Sequence, residues 1–69
     1  MPDLEIQLNG EPFKVPAGST LADLIRQLRL AEDRVAVELD RKIVRRPQWD
    51  TERLESGAAI EIVQIVGGG

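Results

Sequence analysis

The chain contains neither His nor Cys, and the absence of these two side chains closes most routes to catalysis. Without imidazole there is no unperturbed near-neutral general base; without a thiol there is no sulfur nucleophile and no soft metal ligand. The carboxylates are scattered singly or in loose pairs such as Glu32-Asp33, lacking the Asp/Asn ladder and Gly of a calcium loop. Their expected role is solubility, and no bound metal or cofactor is expected. The one remaining group with distinct chemistry belongs to the main chain. Gly67-Gly68-Gly69 follows directly on the most apolar stretch of the sequence. Glycines have no side chains to bury and lose the most backbone entropy on ordering, so residues 67–69 are expected to form a flexible tail on a folded body of residues 1–66. Fully extended, three residues carry the Gly69 carboxylate roughly 10 Å outward, through a channel only one backbone wide. A partner enzyme can then reach that carboxylate while the body stays outside. On an arbitrary protein such an end is more often frayed backbone than a device.

Composition bounds what can hold that tail. Sixty-nine residues allow one domain. A 42% apolar and 30% charged balance is that of a chain that folds. A domain this small rarely hollows out the roughly 300–1,000 Å³ needed to bury a drug-sized ligand, so an internal active site is not expected. The net charge of −3 and the scarcity of aromatics, Phe13 and Trp49 alone, argue against a nucleic-acid partner. Met1-Pro2-Asp3 lacks the basic start of a secretory signal, and no apolar run approaches the ~18 residues of a membrane span. The expectation is a cytoplasmic protein with no membrane partner, monomeric when free.

The elements that must position the tail follow from periodicity. Leu4, Ile6 and Leu8 alternate with polar residues as in a half-buried strand, and Asn9-Gly10 is the preferred type I′ hairpin turn. The strand Glu11 to Val15 comes next, with Phe13 and Val15 inward; Pro12 puts it at a sheet edge. Pro16-Ala17-Gly18 breaks it, and Ser19-Thr20 with Asp23 caps a helix predicted from about Leu21 to Leu30, whose Leu21, Leu24, Ile25 and Leu28 form one apolar stripe. Val35 to Leu39 is a strand, Asp40-Arg41 a turn and Lys42-Ile43-Val44 a short strand. Gln48 to Glu55 shows no period and is expected to be loop with room for one helical turn. Gly57 marks a further turn, and Ala59 to Val66 is apolar enough for a central strand. One helix on one face of a mixed sheet of four or five strands, the last strand beside the first, is the β-grasp arrangement of the α+β class.

These residues resemble the β-grasp sulfur carriers of thiamine biosynthesis, the ThiS family, and more distantly ubiquitin and the molybdopterin sulfur carriers. The resemblance covers essentially the whole chain. It is carried by the Asn9-Gly10 turn, Ala17-Gly18-Ser19-Thr20-Leu21, Val35-Ala36-Val37-Glu38, Ile43-Val44 with a nearby Arg, Pro and Trp49, Gly57, and Ile65-Val66-Gly67-Gly68-Gly69. The family often has Val-Pro-Arg where this chain has Val44-Arg45-Arg46, its proline delayed to Pro47. The resemblance implies a carrier, not an enzyme. A ThiF-like adenylating enzyme would use ATP to activate the Gly69 carboxylate. Sulfur from a cysteine desulfurase or another persulfide donor would replace AMP to leave a thiocarboxylate, and a ThiG-like thiazole synthase would take the sulfur. Delivery to molybdopterin or another acceptor, a ubiquitin-like modifier conjugated through Gly69, and a non-catalytic binding module are the alternatives.

The last strand also suggests a docking surface. Ile60 and Ile62 share one face while Val63 and Ile65 fall on the other, either through a bulge or because the strand is covered on both sides. With a single helix available nothing obvious covers the second face, so Val63, Ile65 and Val66, beside the tail, are candidate partner contacts, with Arg45 as an additional one. Arg45 and Arg46 are otherwise a solvated loop. Trp49 is either an interface anchor or, on the stronger expectation, the closure of a core short of aromatics.

Overall fold

A computed structural model describes residues 2–65 of the chain. β1 (Asp3–Leu8) turns through Asn9-Gly10 into β2 (Glu11–Pro16), the two pairing antiparallel from Asp3 opposite Pro16 to Leu8 opposite Glu11. Asn9 and Gly10 both have positive φ, +50° and +85°, as a type I′ turn requires. A Cβ-bearing residue is strained at +85°, which is why Gly occupies the second position.

Helix α1 (Leu21–Gln27) starts on a reciprocal cap: Thr20 Oγ1 accepts from the Asp23 N–H at 3.1 Å, and Asp23 Oδ2 accepts from the Thr20 N–H at 3.0 Å. It is shorter than its apolar stripe suggests. The helix stops at Gln27 because Arg29 enters the left-handed region at φ +59°. The Arg29 N–H then bonds the Arg26 carbonyl at 3.0 Å and the Leu30 N–H bonds the Ile25 carbonyl at 3.2 Å, closing the helix end in a Schellman motif without a glycine. Leu28 and Leu30 still pack against the core from this non-helical turn.

After a 3₁₀ turn at Glu32–Arg34 come β3 (Val35–Leu39) and β4 (Lys42–Val44), joined by Asp40 and Arg41 at φ +50° and +71°. A second 3₁₀ turn, Arg46–Gln48, opens the long connection to β5 (Ala59–Gln64). The sheet order is β2-β1-β5-β3-β4, with β1 and β5 parallel and the other neighbours antiparallel. β2 is an edge strand and β5 is central, and the single helix covers one face. This is the β-grasp fold.

The core lies between that face and α1: Ile6, Val15, Val37 and Ile60 from the strands meet Leu21, Leu24 and Ile25, all nearly or fully buried. The aperiodic connection contributes more to it than its sequence suggests. Trp49 is only 3% exposed, Leu54 is buried, and the Trp49 indole N–H donates to the Val44 carbonyl at 2.8 Å. The same segment caps the first turn of α1. The Trp49 and Glu52 carbonyls accept from the Ala22 and Leu21 N–H groups at 3.1 and 3.0 Å, satisfying donors that a helix N-terminus leaves free. Trp49 therefore closes the core and is not a surface anchor.

Candidate functional site

On the face of the sheet away from α1, nothing among the described residues is packed over the side chains. The pairing register shows what stands there. Val63 of β5 lies opposite Ala36 of β3; one step along, Glu61 lies opposite Glu38, and Glu38 lies opposite Ile43 of β4. Alternation turns Ile60 and Ile62 into the core and leaves Val63 outward. Val63 is 61% exposed, Ile65 52% and Ile43 74%, the large apolar side chains that stand in solvent among the described residues. Ile65 lies just past the end of β5, yet its N–H still donates to the Arg34 carbonyl at 2.7 Å, so β3 holds this segment to its last described residue.

Val63 and Ile65 thus share an apolar patch with Ala36. No bulge produces it: pairing with β3 is unbroken from Ile60 to Gln64. Arg45 is exposed and lies two strands away, immediately after β4. It joins the patch through a shallow groove of about 360 Å³ whose walls include Ala36, Ile43, Arg45 and Pro47. Arg45 sits at φ −74° and ψ 148°, a backbone conformation that proline also adopts. Arg46 turns instead to Glu32, its Nε 3.3 Å from Oε1.

Val66, Gly67, Gly68 and Gly69 lie outside the described residues. Ile43 and Ala36 belong to the patch although the sequence did not single them out. A three-residue strand is too short to show alternation, and an alanine on the outward side of Val35 and Val37 is too small to announce a contact. Among the described residues no group of three or more acidic side chains is arranged to hold a metal ion, and no helix is long and apolar enough to cross a membrane. Among the described residues, the arrangement is an apolar sheet face at the C-terminal end of β5, and it offers contact area.

Comparison with known proteins agrees with this fold. The model of the ThiS family matches residues 6–69. A thiazole synthase of Magnetococcus marinus is 39% identical over 66 residues; the alignment covers 96% of this chain but 20% of that protein, so the chain spans about a fifth of that relative. The sulfur carrier protein ThiS of Escherichia coli is 29% identical over 96% of this chain and 100% of its own. The crystal structure of a thiamine biosynthesis protein (ThiS) from Geobacter metallireducens superposes with a TM-score of 0.81 at 28% identity, covering 96% of this chain and 100% of that one.

Proposed function

The chain belongs to the ThiS family, and from that premise we propose that it is a sulfur carrier of thiamine biosynthesis with Gly69 as its loading point. The single observation that carries this proposal is that the family match runs through residue 69 and so includes Gly67, Gly68 and Gly69. A carboxylate resists nucleophiles until it has a good leaving group, and this chain has no His or Cys with which to begin. Activation therefore falls to a ThiF-like adenylating enzyme. The Gly69 carboxylate attacks ATP and expels pyrophosphate; the outer sulfur of a persulfide displaces AMP to give an acyl disulfide. A thiol then cleaves that S–S bond, leaving with the donor's sulfur as a disulfide, and the thiocarboxylate released gives its sulfur to a ThiG-like thiazole synthase. The Magnetococcus relative favours this acceptor over molybdopterin or a target lysine, because in a protein called thiazole synthase the aligned sequence is one part of a longer chain. Covalent linkage raises the effective concentration of two modules that work together.

The exposed face of Val63, Ile65, Ala36 and Ile43, with Arg45 at its rim, is the docking surface in this proposal. It is the apolar centre that an interface needs, and Val63 and Ile65 are the exposed apolar side chains at the C-terminal end of β5 and just beyond it.

The test is intact mass spectrometry after incubation with the adenylating enzyme, ATP and a persulfide donor. One oxygen exchanged for sulfur, located at Gly69 by fragmentation, is the expected result. A protein blocked as the Gly69 amide stays at its original mass. Sulfur delivery undiminished by that block, or by deletion of Gly68 and Gly69, overturns the proposal. A reductant-resistant conjugate to lysine identifies a modifier instead, and intact thiamine synthesis in cells lacking the chain redirects the sulfur to another acceptor.

A further inference from the structure

The turn at Asn9 does more than reverse the chain. β1 pairs with β5 only as far as Leu8 opposite Ile60, because at Asn9 the backbone leaves the sheet for β2. The Asn9 N–H still reaches the Ile60 carbonyl at 2.8 Å. A β1 that ran on would next offer Ile62 a carbonyl for its N–H and an N–H for its carbonyl. The Asn9 side chain supplies both: Oδ1 accepts from the Ile62 N–H at 2.8 Å, and Nδ2 donates to the Ile62 carbonyl at 3.3 Å. A carboxamide carries the same donor and acceptor as a peptide group, so it stands in for the missing stretch of strand. Past Ile62 the register with β1 has ended, while on the other side β3 continues to Gln64 and Ile65.

We propose that Asn9 is a positioning residue for loading the chain: its carboxamide fixes β5 at Ile62, so that Val63 and Ile65 are presented in one orientation to the adenylating enzyme. This rests on the carrier function proposed above. The turn alone does not require the side chain, since Gly-Gly and Asp-Gly form the same two-residue loop. The other hairpin supplies the control. Asp40 Oδ1 accepts from the Ala59 N–H at 2.9 Å, and the Asp40 N–H donates to the Ala59 carbonyl at 2.7 Å. Ala59 begins β5, at the end remote from Gly69. Each turn thus braces one end of the central strand, and Asn9 braces the one that leads to the reactive terminus.

The experiment compares the full-length wild type with Asn9→Gly, Asn9→Asp and Asp40→Gly, by amide hydrogen exchange and by steady-state loading with the ThiF-like enzyme and ATP. Asn9→Asp keeps the turn and the acceptor for the Ile62 N–H but sets a carboxylate oxygen against the Ile62 carbonyl. Exchange at Ile62 is expected to accelerate roughly tenfold in Asn9→Gly. Both Asn9 variants should raise KM for the carrier by roughly threefold to tenfold with kcat unchanged. Asp40→Gly should accelerate exchange at Ala59 and leave KM unmoved, a split that a general loss of stability does not produce. Unchanged exchange at Ile62 in Asn9→Gly, or a KM equal to that of Asp40→Gly, overturns the role of Asn9 while the carrier function stands. A wild-type chain that is never loaded removes the carrier function itself.

Discussion

The two faces of β5 are built from the same kinds of residue for opposite ends. Ile60 and Ile62 meet α1 and are buried, whereas Val63 and the neighbouring Ile65 stand on the bare face and are more than half exposed. Composition alone does not separate them. Their position in the alternation does, together with the fact that one helix covers one side of a five-stranded sheet. The covered face makes the domain stable, and the bare face gives stability up: apolar area stays in water where burial would be worth about 25 cal/mol per Å². Such a cost is understandable when the area is kept for another protein.

Truncation on the covered side should have the largest effect. Ile60→Ala removes a fully buried side chain from the centre of the core and is expected to cost about 2–5 kcal/mol, cavity included. A domain of this size has a total stability of only about 4–10 kcal/mol. Urea unfolding should therefore show a variant near the edge of folding, with Ile60→Val losing about 0.5–1.5 kcal/mol as the graded companion. If Ile60→Ala proves no more harmful than a change on the bare face, the division between the faces is wrong.

The same test on the other side should reverse the balance. Val63→Asp is expected to cost no more than about 1 kcal/mol of unfolding stability, because most of the side chain is already in water and what remains is strand preference. It should nonetheless raise KM for loading by about tenfold, the equivalent of about 1.4 kcal/mol lost from a desolvated contact. Stability loss of core size, or loading that is indifferent to the carboxylate, removes Val63 from the docking surface. Below this in size stands Thr20→Ala, which deletes the acceptor for the Asp23 N–H and should cost about 1 kcal/mol with loading unaffected.

Locality decides how much of this was legible in the sequence. The Asn9-Gly10 turn, the cap at Thr20 and the alternation of β1 each depend on residues within a few positions, and each can be read directly. The end of α1 depends on Arg29 adopting a left-handed conformation where no glycine announces it. Trp49 and Leu54 are buried because the main chain around them bonds to the first turn of α1, a distant partner that leaves no periodic trace. At the candidate site, the exposure of Val63 and Ile65 follows from counting covering elements: one helix cannot shield two faces. Ile43 was hidden by the brevity of β4, and Asn9 by its own clarity, since a residue fully explained by its turn gives no sign that its side chain also spans to Ile62.

The smallest expected effect gives the sharpest view of the bare face. Glu38 and Glu61 are directly opposed on adjacent antiparallel strands, both exposed, and among the described residues neither forms a salt bridge. Like charges in that position repel, so Glu38→Gln should stabilise the free domain by a few tenths of a kcal/mol. The origin is electrostatic, and the gain should shrink in about 1 M salt, where the screening length falls to about 3 Å, short of the separation between opposed side chains. Parallel urea titrations at low and high ionic strength measure it. A gain that survives in salt would assign the benefit to packing; no gain at all would mean that the two carboxylates already point apart. A gain that vanishes with salt would show a face composed against the stability of the free domain, in its charges as well as in its exposed valine and isoleucines.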